Sequence, residues 1–297
     1  MIEVHDMKSY HWVEVVEPQP QELRSELAAI DLPEKYFDYM MDTREQPRAT
    51  YDELNKFGAL VVRALPFNIS QKSTTVPIFI GFRDGTLITV CHDSQEREVI
   101  SAPKKESGLT NHIMDILRGI VDHYLQLLDQ MSENAERLEM RGHQVTNKRL
   151  SAISDLKRKL IYLRSACAGN LIAIEQLKEL LDHEQVESGQ TSRDHQAVTD
   201  LLIEYRQCQN SFEIVSTVVS EFEDTFGNVI NNRLNQTMQF LTVWSLVLAI
   251  PPIVSGFYGM NMFLPLASGK WAWAYSLVIT LVLVGLMIWY LKRNKKL

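Results

Sequence analysis

Three cysteines among 297 residues, Cys91, Cys167 and Cys208, lie far apart, with no Cys-x-x-Cys pair and no histidine at ligand spacing. That excludes a disulfide framework or a cysteine-based zinc site and fits a reducing compartment. There is no glycine-rich phosphate loop, no Gly-x-Ser-x-Gly elbow and no His-Glu-x-x-His pair, so nucleotide hydrolysis, acyl transfer and zinc proteolysis have no machinery here, and no enzyme is expected. The amino terminus, MIEVHDMKSYHWVEVVEPQ, carries acids where a secretion signal needs bases and an apolar core, so none is expected. Acidic residues stop altogether at Asp224, and six bases follow it; with a net charge of −7, residues 1–224 carry −13. An acidic body excludes the basic face that nucleic acid requires and suits a surface that meets cations.

What is present is concentrated at the carboxyl end. Met238 to Asn261 and Ala272 to Tyr290 contain no charged residue. At ~1.5 Å rise per residue, each run is long enough as a helix to cross, or nearly cross, a ~30 Å hydrocarbon layer. Lys292, Arg293, Lys295 and Lys296 follow the second span, whereas the inter-span loop offers only Lys270, which places both termini on the cytoplasmic side of a cell (inner or plasma) membrane. Trp271, Trp273, Trp289 and Tyr290 stand at the ends of the second span, where interfacial anchors sit.

The rest of the chain divides by pattern. Residues 1–105 read as a cytoplasmic α/β domain, giving an α+β class overall. Helices are expected over Gln21–Ile30 and Pro33–Met41, and a strand over Gly58–Leu65. A hairpin of Val76–Phe82 with Thr86–Cys91 should turn at Asp84-Gly85. Residues 106–190 show two helical seams, Ile113 to Leu138 and Ile153 to Leu181. Asn147 is the expected cap of the second, so the pair should form an antiparallel helical hairpin. Residues 191–258 carry one seam from Leu201 to Leu234 straight into the first span, a stalk helix continuous with the membrane. Residues 259–271 form the extracytoplasmic loop, 272–291 the second span and 292–297 the basic tail. So long a seam cannot be covered by one chain, which calls for a homo-oligomer. Pro251-Pro252 falls inside the bilayer and should kink the helix there.

The first span carries a polar stripe of Asn235, Thr242, Ser245 and Ser255. In isolation such groups bond their own backbone or pack helices. If identical helices surround an axis, Asn261 makes a ring of amide oxygens at its outer end. Neutral carbonyls suit Mg²⁺, which holds its waters tightly and would be gripped by carboxylates. Gly259 allows close backbone approach, and Met238 and Leu241 below would close an apolar ring that dewets.

Tyr258-Gly259-Met260-Asn261, ending the first of two carboxyl-terminal spans with a basic tail after the second, resembles the CorA family of magnesium channels, whose signature is Gly-Met-Asn in that place. The resemblance extends over the whole chain. It implies a homo-pentameric funnel with the first spans around the pore, Gly259, Met260 and Asn261 as selectivity filter, and Asn235, Met238 and Leu241 at the inner mouth and constriction. It also implies Mg²⁺ as substrate and as regulatory ligand, with Asp200 in an inter-subunit site and Asp224 near the inner mouth. Two departures stand out: no threonine follows the Pro251-Pro252 pair, and the loop Met262–Lys270 has no acid. The membrane potential supplies ~4.6 kcal/mol to a divalent ion at ~100 mV, so passive influx of Mg²⁺, with Co²⁺ and Ni²⁺ as further substrates, requires no ATP. Two alternatives remain open at this point: a zinc or other transition-metal transporter of the same superfamily, and a non-conducting membrane-anchored coiled-coil scaffold.

Overall fold

A computed structural model of the chain describes residues 1–27, 32–66, 75–83, 85–92, 97, 100, 108–140, 146–188, 193–260 and 271–293. The described residues form two compact units, Met1–Glu223 and Asp224–Leu297.

Among the described residues six strands, β1 (Ile2–Asp6), β2 (His11–Val16), β3 (Arg48–Asp52), β4 (Phe57–Ala64), β5 (Val76–Arg83) and β6 (Thr86–Cys91), make one sheet in the order β1-β2-β6-β5-β4-β3. All neighbours are antiparallel except β2 and β6, which run parallel. Strands β4, β5 and β6 are near-continuous apolar runs because the sheet is covered on both faces, so alternation gives way to burial on each side. The edge strands β1 and β3 are mostly half-exposed and polar. That is why neither stood out as a strand in the sequence, and β2 was hidden with its partner β1. The expected β5–β6 hairpin forms, with Gly85 at φ +69°, a value that costs glycine nothing; Asp84 of that turn lies outside the described residues.

On one face, Leu23 of α1 (Pro20–Leu27) and Tyr36 and Met40 of α2 (Glu34–Met41) pack on Val13, Val15, Phe57, Ala59, Val61, Phe79, Ile88 and Val90. The opposite face meets α3 (Leu109–Met140) and α4 (Asn147–Ser188). The α4 helix lies along β3 and β4. Its Asn170, fully buried, accepts a hydrogen bond from the Arg63 N–H at 2.7 Å and donates one to the Arg63 carbonyl at 2.8 Å. Gln176 accepts from the Ala49 N–H at 2.9 Å, so two α4 amides act as extra sheet partners. At Gly169 a Cβ would stand 2.9 Å from the Pro47 ring, which shows how closely α4 approaches.

The cap of α4 is Thr146 rather than Asn147. The Thr146 carbonyl accepts from the Arg149 and Leu150 N–H groups, and Asn147 is already the first helical residue. The third long helix, α5 (Arg193–Tyr258), passes through Pro251 and Pro252. Within the first unit it joins α3 and α4 by its predicted seam: Leu201, Tyr205, Cys208 and Phe212 are buried, and the Tyr205 hydroxyl donates to the Leu117 carbonyl at 3.0 Å. Burial holds the Tyr124 and Tyr205 phenols well above their ordinary pKa, so both remain neutral donors. A hydrogen bond from the neighbouring Cys208, reinforced by burial, pushes the Cys167 thiol up. The second unit holds the end of α5 and α6 (Ala272–Arg293).

Candidate functional site: the carboxyl-terminal part of helix α5

Among the described residues, two helices, α5 and α6, are long and apolar enough to cross a membrane. Neither buries the side chains of its membrane-length apolar stretch as a core helix would. Met238, Leu241, Phe240 and Trp244 of α5, and Leu281, Val282 and Leu286 of α6, are all about half exposed or more. Apolar surface of that extent needs lipid or further protein around it.

The two faces of α5 in the second unit differ. At ~100° per residue, Asn235, Met238, Leu241, Thr242 and Ser245 fall within an arc of about 120°, and all five are exposed. The less exposed positions, Val243, Val247, Ile250 and buried Val254, fall on a narrow stripe centred roughly 150° away. Helix α6 has a matching stripe of reduced exposure, Ser276, Thr280, Val284, Met287 and buried Leu291. Each helix of this unit therefore has one covered stripe, and on α5 the covered stripe is not the one carrying the predicted site residues.

Local chemistry on the exposed face is self-contained. Thr242 donates its hydroxyl to the Met238 carbonyl at 2.8 Å, one turn back, and Ser255 donates to the Pro252 carbonyl at 3.2 Å. Each hydroxyl has then used its single proton, and its oxygen is left able to accept from water. Pro251 and Pro252 have no N–H, so the Val247 and Leu248 carbonyls lose their helical donors and can also accept.

At the carboxyl-terminal end, the Gly259 N–H continues the helical ladder to the Ser255 carbonyl at 2.8 Å, and the Met260 N–H bonds the Phe257 carbonyl at 3.3 Å. A Cβ at Gly259 would meet the Ser255 carbonyl oxygen at 3.2 Å, a close backbone approach. Met260 is half exposed. Asn261, the central residue of the expected filter, lies outside the described residues. Asp200 in the first unit and Asp224 in the second are both exposed on α5.

One cluster was absent from the sequence reading. Glu3, His5 and Glu14 bring their ligand atoms within 4.8 Å of one another on β1 and β2. The signal for it, Glu-x-His on one side of a strand, becomes visible only once residues 2–6 are known to be a strand.

Comparison with known proteins covers almost the whole chain. A family model described as CorA-like Mg²⁺ transporter protein matches residues 7–293. The chain is 23% identical over 296 residues to the "Cobalt/magnesium transport protein CorA" of Methanocaldococcus jannaschii, covering 95% of this chain and 90% of that one. Among solved structures, it matches the complete CorA magnesium transporter of Methanocaldococcus jannaschii with a TM-score of 0.80 at 21% identity, over 96% of this chain and 90% of the other. It also matches the full-length CmaX protein with a TM-score of 0.72 at 16% identity, over 96% and 88% of the two chains.

Proposed function

The chain belongs to the CorA-like Mg²⁺ transporter family, and from that premise we propose that it conducts hydrated Mg²⁺ passively through a pore built from five copies of α5. It is a divalent-cation transporter of the membrane, not an enzyme. The observation that carries the finer reading is the two-sidedness of α5: the face with Asn235, Met238, Leu241, Thr242 and Ser245 is exposed in a single chain, while a different stripe is covered. Exposed small polar groups among large apolar ones fit an axis of identical helices better than lipid alone.

In this reading the ion meets the Gly259, Met260 and Asn261 filter first. Asn261 amides of the five subunits accept from the metal's own waters, so a tightly held hydration shell need not be stripped. Thr242, its proton already committed to the Met238 carbonyl, offers oxygen to the water column below, and Ser245 adds a further hydroxyl on the same face. Met238 and Leu241 form the constriction, which is dry when narrow and conducts when widened, with Asn235 at its inner mouth. Cytoplasmic Mg²⁺ bridging Asp200 to acids of the adjacent subunit, with Asp224 near the inner mouth, holds the closed state; when Mg²⁺ is scarce the acids repel and the constriction widens. Co²⁺ and Ni²⁺ follow the same path as secondary substrates. The amino-terminal body (1–105), hairpin (106–190) and tail (292–297) are cytoplasmic, and 259–271 faces outward.

The test is Mg²⁺ influx into proteoliposomes under an inside-negative potential. The wild type should conduct without ATP, and Asn261→Ala should reduce Mg²⁺ flux by at least about tenfold, the loss of roughly one charge-assisted hydrogen bond per subunit. Vesicles that stay impermeable to Mg²⁺, Co²⁺ and Ni²⁺ alike would overturn the reading, and a Zn²⁺ flux surviving Asn261→Ala would transfer it to a transition metal.

A further inference from the structure

Far from the pore helices in sequence, at the β1 end of the sheet, three metal-ligand side chains converge. In the antiparallel β1–β2 register, Glu3 stands opposite Glu14 and His5 opposite Trp12. Alternation puts Glu3 and His5 on the same side of β1, and Trp12 and Glu14 on that side of β2. The His5 Nε2 lies 3.0 Å from the Glu14 Oε2 and 3.7 Å from the Glu3 Oε2. Two ligands of one metal at ~2.1 Å are themselves ~3.0–3.4 Å apart, so the imidazole and the Glu14 carboxylate already hold a ligand pair's separation.

Three features distinguish this cluster from a solvated acidic patch. Glu14 is only 2% exposed, and a carboxylate taken out of water requires a cation beside it. His5 is held by stacking on Trp12, ring centroids 4.6 Å apart at 29°, which fixes the direction of its Nε2. Trp12 is in turn fixed by donating to the Thr89 hydroxyl at 2.9 Å and by its edge contact with His112 of α3. The present counter-cation is Arg97, bonded to both Glu14 oxygens at 2.9 Å and to Glu3. Its side chain is 39% exposed, so it can return to water at little cost.

We propose that Glu3, His5 and Glu14 form a binding site for a transition-metal dication of the Zn²⁺, Co²⁺ or Ni²⁺ class, in which Arg97 is the resident cation that the metal displaces. One imidazole and two carboxylates on one side, with Glu3 and His5 open to solvent at 37% and 36%, leave positions for water to complete the coordination. An imidazole ligand favours these metals over Mg²⁺, which takes oxygen and keeps its waters. When the metal enters, the neutral His5 imidazole presents its Nε2 lone pair with the ring proton on Nδ1 and the guanidinium swings out to solvent, so a cation still faces the buried carboxylate. The site uses none of the residues assigned to the pore and stands whether or not the conduction reading holds. It would let the cytoplasmic domain register a metal other than Mg²⁺.

Visible absorption of Co²⁺ titrated into the purified full-length protein in detergent, with Mg²⁺ present in excess, reads this site directly. The wild type should show a Co²⁺ band that Zn²⁺ removes and Mg²⁺ does not. His5→Ala and Glu3→Gln should weaken it by at least about tenfold, and Arg97→Met, which removes the competing cation, should tighten it by about tenfold. Circular dichroism and the melting temperature check that each variant is folded; His5 and Glu3 are half-exposed, so either suffices if the other fails. The proposal is overturned if His5→Ala leaves the band and its affinity unchanged, if Mg²⁺ displaces Co²⁺ as readily as Zn²⁺ does, or if Arg97→Met weakens binding.

Discussion

Asn170 shows what a single side chain can decide in this fold. Its amide satisfies both backbone groups of Arg63 from the flank of α4, with Tyr124 adding a second donor to the same carbonyl at 3.1 Å. Asn170→Leu leaves a buried N–H without its partner and should cost about 2–3 kcal/mol, read as a lower denaturation midpoint with an unchanged slope. Asp52 gives a pH-dependent counterpart. The Lys35 ammonium at 2.9 Å, helped by Asn55, holds the Asp52 carboxyl down to about 2 from its ordinary 3.8. The folded carboxyl binds its proton less readily than the unfolded one, so this contribution is complete above pH ~4 and disappears as pH falls toward ~2. Lys35→Met should therefore flatten the acid limb of the stability profile between those values while leaving its slope near neutrality unchanged.

At the scale of elements, α5 is one helix with two kinds of environment. Its amino-terminal part buries Leu201, Tyr205, Cys208 and Phe212 against the first unit, while its carboxyl-terminal part exposes Met238 and Leu241. If the exposed face lines a shared axis, cysteines placed there should meet their copies. Leu241→Cys should give disulfide-linked dimers in the membrane under mild oxidation, whereas Val247→Cys, on the less exposed stripe, should not; the three native cysteines are buried and stay silent. Leu241→Asn should raise basal Mg²⁺ leak severalfold, because a polar ring no longer expels water. Equal cross-linking at both positions would remove the axis from that face.

For the whole molecule, the exposed apolar surface of the second unit needs lipid or further protein around it, and the acidic body of the first suits a surface that meets cations; the proposed pentamer would supply both. Mass measurement in detergent should give about five times 34.2 kDa. Asp200→Ala should raise the Mg²⁺ concentration giving half-inhibition of influx by about tenfold, through loss of one carboxylate ligand per interface. Unchanged inhibition would remove Asp200 from the regulatory site.

The sequence by itself determined the two spans, the three long helices, the central hairpin and the Gly-Met-Asn signature. Each of these rests on a property of contiguous residues: absence of charge over a bilayer's thickness, a 3.6-residue seam, or a turn dipeptide between β-branched runs. Tertiary structure alone decided the strands β1, β2 and β3. The edge strands β1 and β3 carry little apolar alternation, although each pairs with the next strand in the chain, and β2 joins the rest of the sheet only by a parallel crossover to β6. It also decided which face of α5 is left uncovered, and that Glu3, His5, Glu14 and Arg97 stand together. The Arg97 side chain lies 83 residues along the chain from Glu14, and no local pattern encodes a meeting that only the sheet's register brings about.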